Sequence, residues 1–166
     1  MYHVDDLRPG MVILCLPPAH EPIWDRVLDD AIAWSSGPFV HAALVGHGEI
    51  LEQLATVQTS PLDKYAATGW AYVVDGATVA HADTAITAFK GRLGQAYGVR
   101  ELLIMGAYYD LHDTAVWQDR FAHTVCSTAV ERAWRQAGMV LSEQPLVSPT
   151  GLAFSPRLLG PRPWQR

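Results

Sequence analysis

The stretch FVHAALVGHGEILEQLA, residues 39–55, decides the fold. Two short apolar runs flank a glycine-rich GHGE, the pattern of a β-hairpin. With a two-residue loop, His47-Gly48, Gly46 pairs with Glu49 and His41 with Leu54. Alternation along the strands then puts His41, Ala43 and Val45 on one face with Ile50, Glu52 and Leu54. Glu52 lies diagonal to His41, within reach of a long carboxylate side chain. A three-residue loop instead sets Gln53 opposite His41, and parity alone does not choose between them. A carboxylate inside the mostly apolar run LEQLA is the more unusual feature and favours Glu52. The bland alternative is a satisfied core histidine beside a solvated glutamate.

Around this hairpin the chain reads as alternating short strands and helices. Arg8-Pro9-Gly10 signals a turn, and Met11 to Leu16 is strand-like up to Pro17-Pro18. From Ile23 to Trp34, apolar residues at Trp24, Val27, Leu28, Ala31 and Trp34 have the spacing of a helix face. Val57 to Lys64 reads as a short extended segment and Trp70 to Val74 as a further strand. Thr78 to Leu93 is alanine-rich and helical, ending near Gly94, and Glu101 to Tyr108 is read as helical. The tail after Leu141 holds Pro145, Pro149, Pro156, Pro161 and Pro163, so mostly loop is expected there. No repeat or linker interrupts the pattern, and the expectation is one α+β domain spanning residues 1–166.

The clearest helix is Cys126 to Ala137, with Val130, Trp134 and Ala137 on one face and Gly138 as its stop. It places one of only two cysteines at its first turn. There, outward-pointing N–H groups and the helix dipole favour the thiolate, the reactive form of cysteine. Cys15, in an apolar strand, reads as a buried small residue. Seven histidines are candidate bases for Cys126, and His41 stands out because it sits on a strand rather than a loop.

Taken in order, RPGMVILC, PFVHAALVG, ILEQLA, SPLDKY and VCSTAVERAWRQAG resemble the circularly permuted branch of the papain-like NlpC-type cysteine hydrolases. YiiX-like proteins belong to that branch, and lecithin-retinol-acyltransferase-like enzymes are more distant relatives. The resemblance runs from Leu7 to Gly138 and weakly into SPTGLAFSPRL. It implies a permuted papain-like fold: a small antiparallel sheet packed against helices, with the nucleophile at a helix N-terminus. It also implies Cys126 as nucleophile, His41 as base and Glu52 as the residue orienting His41. Tyr97, in GQAYG, takes a supporting role, and Ser127 is expected to face substrate. Read from their helical spacing, Trp24 and Trp34 either pack in the core or, Trp34 above all, wall a groove for an acyl chain. The family often carries a glutamate two residues after the cysteine, where this chain has Thr128. The activity implied is cleavage of an amide or ester through an acyl-thioester, on a small peptide, amide or acyl-chain substrate, without cofactor or metal. The rival reading is a non-catalytic binding or structural module on the same fold, for instance virion-associated.

Composition narrows the partners. The net charge of −5 and 12 scattered basic residues do not make a nucleic-acid grip. The apolar runs MVILCL and LLIMGAYY are too short to cross a bilayer. The opening MYHVDDLRPG lacks the apolar segment of a signal peptide, so a cytoplasmic, or leaderless released or virion-associated, protein is expected. His47-Gly48-Glu49 mimics the H-x-E of zinc deaminases, but no P-C-x-x-C accompanies it. His123-x-x-Cys126 has ligand-like spacing without a clear third ligand.

Overall fold

The computed structural model of the chain describes residues 1–17, 38–96, 126–144 and 147–160. The hairpin is built on a two-residue loop. Strand β2 (His41–Val45) and strand β3 (Ile50–Gln53) pair Ala43 with Glu52, Leu44 with Leu51 and Val45 with Ile50. The Gly46 N–H donates to the Glu49 carbonyl at 2.8 Å, and Gly48 takes φ +104°, which its missing Cβ permits.

The sheet grows outward from this pair. Strand β1 (Val12–Cys15) lies beside β2, with Cys15 facing His41. Strand β4 (Val57–Ser60) lies beside β3, β5 (Gly69–Val74) beside β1, and β6 (Leu158–Leu159) at the edge, giving the order β4-β3-β2-β1-β5-β6. All neighbouring pairs are antiparallel. Three α-helices complete the described residues: α1 (Val79–Lys90), α2 (Cys126–Gln136) and α3 (Pro149–Ala153).

Both sheet faces are covered. Val12, Leu14, Leu44, Leu51 and Tyr72 pack against Ile86 and Phe89 of α1 and Val130 and Trp134 of α2. On the reverse face Ile13, Cys15, Ala43, Val45 and Ile50 meet Tyr2, Leu62, Tyr65 and Ala66. Burial on both sides explains why β1 reads VILC, a continuous apolar run without alternation.

Helix termini follow their local chemistry. Thr78 caps α1 by accepting from the His81 N–H, and His81 Nδ1 accepts in turn from the Thr78 N–H. This helix ends at Lys90, earlier than its alanine-rich pattern implies, and turns at 91–94 carry the chain to Gly94 at φ +80°. Helix α2 stops where expected, with Gly138 at φ +82° and the Met139 N–H returning to the Trp134 carbonyl.

One expectation is refined and another corrected. Most of the described proline-rich tail lies outside regular elements, as expected, but it also carries the short α3 and β6. Ser148 accepts from the Gly151 N–H, and Pro149 opens the helix, where its missing N–H costs nothing. The extended segment after Val57 stops at Ser60, and the chain turns from Pro61 onward. The helices expected over 23–34 and 101–108 lie outside the described residues.

The turn at 61–68 is held by close packing at Gly69, opposite Cys15. A Cβ there would meet Ile13 Cγ2, Tyr2 Cε1 and the Tyr65 carbonyl oxygen, each at 2.8 Å. Gly69→Ala is therefore expected to cost about 1–3 kcal/mol by overpacking. Val73→Ala, at a half-exposed site, should stay within about 0.5 kcal/mol. Urea unfolding monitored by tryptophan fluorescence measures both.

Candidate active site

His41 is the first residue of β2, with its side chain 13 % exposed; Glu52, one step along the ladder on β3, is fully buried. Because Glu52 pairs with Ala43, it lies diagonal to His41 on the same sheet face. His41 Nε2 donates to Glu52 Oε2 at 3.1 Å. Gln53 points away and donates to the Ala96 carbonyl at 3.4 Å.

A buried carboxylate is costly unless its oxygens are satisfied. Glu52 is surrounded by donors. Oε1 accepts from Lys64 Nζ at 2.5 Å, from the Ser60 hydroxyl and, at 3.5 Å, from Gln58 Nε2. Oε2 accepts from the Tyr65 hydroxyl as well as from His41. Burial alone would raise the carboxyl pKa, but the bonds from His41, Lys64, Ser60 and Tyr65 outweigh it and hold it well below the usual range. Tyr65 is held neutral by burial and by its bond to Glu52, and its ring lies 5.4 Å from the imidazole.

Cys126 opens α2 and is 3 % exposed. Its sulfur lies beside the His41 ring and the backbone at Ala42 and Ser127. Burial would push the thiol up, but the His41 charge, the His41 bond and the backbone donors outweigh it and lower the pKa. Burial likewise pushes His41 down, yet Cys126 and then Glu52 raise it to about 9. With Nε2 turned to Glu52, Nδ1 is the ring nitrogen that serves the sulfur. The arrangement is a buried chain of thiol, imidazole and carboxylate, in which the proton favours the imidazole.

Three of the expected residues, Cys126, His41 and Glu52, thus come together from α2, β2 and β3. Ser127 is placed otherwise: its side chain is fully buried and its hydroxyl donates to the Val147 carbonyl at 2.5 Å. That hydroxyl ties α2 to the tail instead of facing substrate, and only the backbone of Ser127 reaches the sulfur. Tyr97 and Trp34 lie outside the described residues. Thr128 is buried, and its hydroxyl has no partner among the described residues.

Sequence reading missed Gln58, Ser60, Lys64 and Tyr65. Gln58 and Ser60 share a strand face, and two-residue periodicity alone can pair them with Glu52. Lys64 and Tyr65 sit in a turn whose path no periodicity reveals.

His47 pairs with Asp83 at 2.9 Å on the surface, at the hairpin turn and away from this cluster. Among the described residues, no three His, Cys, Asp or Glu side chains converge as metal ligands, and no helix is long and apolar enough to cross a membrane. The chain matches no protein-family model, and no curated protein is significantly similar to it.

Removing one member of a buried ion pair costs about 3–5 kcal/mol. Lys64 is 31 % exposed and can retreat into water, so Glu52→Gln is expected near the lower end, about 3 kcal/mol at pH 7. The folded pKa of Glu52 is depressed. Its contribution is therefore fully present above the unfolded value of about 4.3 and is lost as pH falls below it. Denaturation of wild type and Glu52→Gln from pH 7 to pH 3 should show the two stabilities converging at the acid end.

Proposed function

We propose that the protein is a cysteine hydrolase of the circularly permuted, papain-like NlpC type, cleaving an amide or ester through an acyl-thioester on Cys126. The observation that carries this reading is that His41 stands between the Cys126 sulfur and Glu52, to whose Oε2 its Nε2 is hydrogen-bonded. A base within reach of a thiol, itself oriented by a third group, is the arrangement that activates a nucleophile. The resemblance of the five sequence segments supports the same class and implies a peptide, amide or acyl-chain substrate.

The steps follow from the geometry. His41 takes the Cys126 proton, and the thiolate attacks the carbonyl carbon. Negative charge develops on the carbonyl oxygen, and the Cys126 N–H at the opening of α2 is placed to donate to it. The tetrahedral intermediate collapses as imidazolium gives its proton to the leaving amine or alkoxide, leaving an acyl-thioester. Water, deprotonated by His41, then attacks the thioester and releases acid and free thiol. Glu52 keeps the ring oriented and stabilises its positive charge throughout.

Imidazolium is required for leaving-group protonation, so hydrolysis should fall as pH rises through about 9, where His41 loses its proton. The acid limb should report Cys126 at a pKa below the free-thiol value of about 8.5. The test joins a panel of acyl esters and peptide amides with mass-spectrometric mapping of alkylation. At pH 6, alkylation should select Cys126 over Cys15, and His41→Ala should slow it at least about tenfold. Glu52→Ala should slow it less. An ordinary thiol titration near pH 8.5, unchanged in His41→Ala, sinks the hydrolase reading and leaves a binding module.

A further inference from the structure

The proposed reactive state places four charges in one cluster: thiolate on Cys126, imidazolium on His41, carboxylate on Glu52 and ammonium on Lys64. Two are negative and two positive, so they sum to zero. Lys64 reaches Glu52 Oε1 at 2.5 Å while His41 takes Oε2 at 3.1 Å, so the cations occupy separate oxygens of one carboxylate. Among the described residues, the remaining polar groups facing the cluster add no charge: Gln58 and Ser60 from β4 are neutral, and Tyr65 from the turn is held protonated. Cys15, opposite His41 on β1, is the other thiol on this face.

We infer that Lys64 is a positioning residue for this site, the second cation that lets thiolate, imidazolium and carboxylate coexist out of water. The inference rests on the hydrolase reading and extends it to a residue outside the Cys–His–Glu set. Without Lys64 the same ionised cluster carries a net charge of minus one with little solvent to screen it. A buried uncompensated charge is relieved by taking up a proton. Glu52 keeps His41, Ser60 and Tyr65 as donors, so the proton goes to the sulfur and the nucleophile is lost. Lys64 acts through Glu52 and need not touch substrate.

Charge balance makes a prediction that simple packing does not. Lys64→Met should raise the pH midpoint of thiolate formation on Cys126 by about one unit, leaving about tenfold less thiolate at pH 6. Lys64→Gln retains a donor without charge and should behave like Lys64→Met, whereas Lys64→Arg should stay near wild type. The decisive variant is the double Lys64→Met, Glu52→Gln. It removes one charge of each sign, and its amide oxygen can still accept from His41, so the midpoint should return toward wild type.

The measurement is the ultraviolet absorbance of the thiolate against pH, paired with alkylation rates, on the full chain after circular dichroism confirms folding. No substrate is required. If Lys64→Met is folded and its midpoint is unchanged, the inference fails while the hydrolase reading stands. If the double variant is no better than Lys64→Met, Lys64 acts through packing and the inference fails. If Lys64→Met does not fold, Lys64→Gln against Lys64→Arg decides, and equal midpoints overturn the inference. A wild-type midpoint near 8.5 brings down the hydrolase reading and the inference together.

Discussion

A carboxylate with no solvent exposure sits at the centre of this protein, and much of the local structure answers to it. Glu52 comes from the middle of the hairpin, where every other β3 side chain is apolar or turned elsewhere. Its two oxygens collect donors from three directions: β2 through His41, β4 through Gln58 and Ser60, and the following turn through Lys64 and Tyr65. The packing of Gly69 against the Tyr65 carbonyl fixes that turn, so a backbone close approach on β5 helps set a charge interaction on β3. Partial satisfaction would leave a high-energy group in the core, because a buried polar network is costly unless complete.

The sulfur reaches this network from the other side of the sheet. Helix α2 packs its apolar stripe on the opposite face, with Ala129, Val130, Ala133 and Trp134 in the main core. Its first residue, Cys126, meets His41 at the start of β2. Two contacts from the tail hold that end. Ser127 donates to the Val147 carbonyl, and the Phe39 N–H, just before β2, donates to the Thr150 hydroxyl at 3.1 Å. The segment around α3 therefore clasps both α2 and the entry to β2. A displacement of either end by one ångström would open the thiol–imidazole contact, which is the scale at which positioning matters for reactivity.

Much of this was legible before any coordinates. The glycines flanking His47 mark a tight turn that leaves two registers open, the unusual carboxylate in LEQLA favours Glu52, and the structure's two-residue loop sets it diagonal to His41. Helix α2 announces itself by its apolar stripe and Gly138. What stayed hidden has identifiable causes. Lys64 and Tyr65 depend on the path of an irregular turn, which no sequence period encodes. The short helix within the mostly irregular tail went unread because five prolines outweighed Ser148-Pro149, a helix-start signal. Ser127 was misassigned because adjacency to Cys126 in sequence does not put its side chain on the same side of a helix. Successive residues there point about 100° apart.

Stability and reactivity pull against each other at this site. An apolar replacement of the whole ionic cluster would avoid four desolvation penalties and often stabilises a protein, since buried ion pairs seldom outperform well-packed hydrocarbon. The chain retains the cluster instead, and concentrates its compensation on the one charge least able to reach water. Glu52 is fully buried and holds most of the hydrogen bonds, whereas Lys64 is 31 % exposed and makes only two. Among the described residues, the groups that stabilise the Cys126 sulfur are His41 and the backbone at Ala42 and Ser127. Under the proposed mechanism, the carboxylate with the most donors stays fixed while the sulfur, with fewer, is the group that attacks. On that proposal, the uneven distribution of donors divides the two groups: Glu52 is held as structure, and Cys126 is left for chemistry.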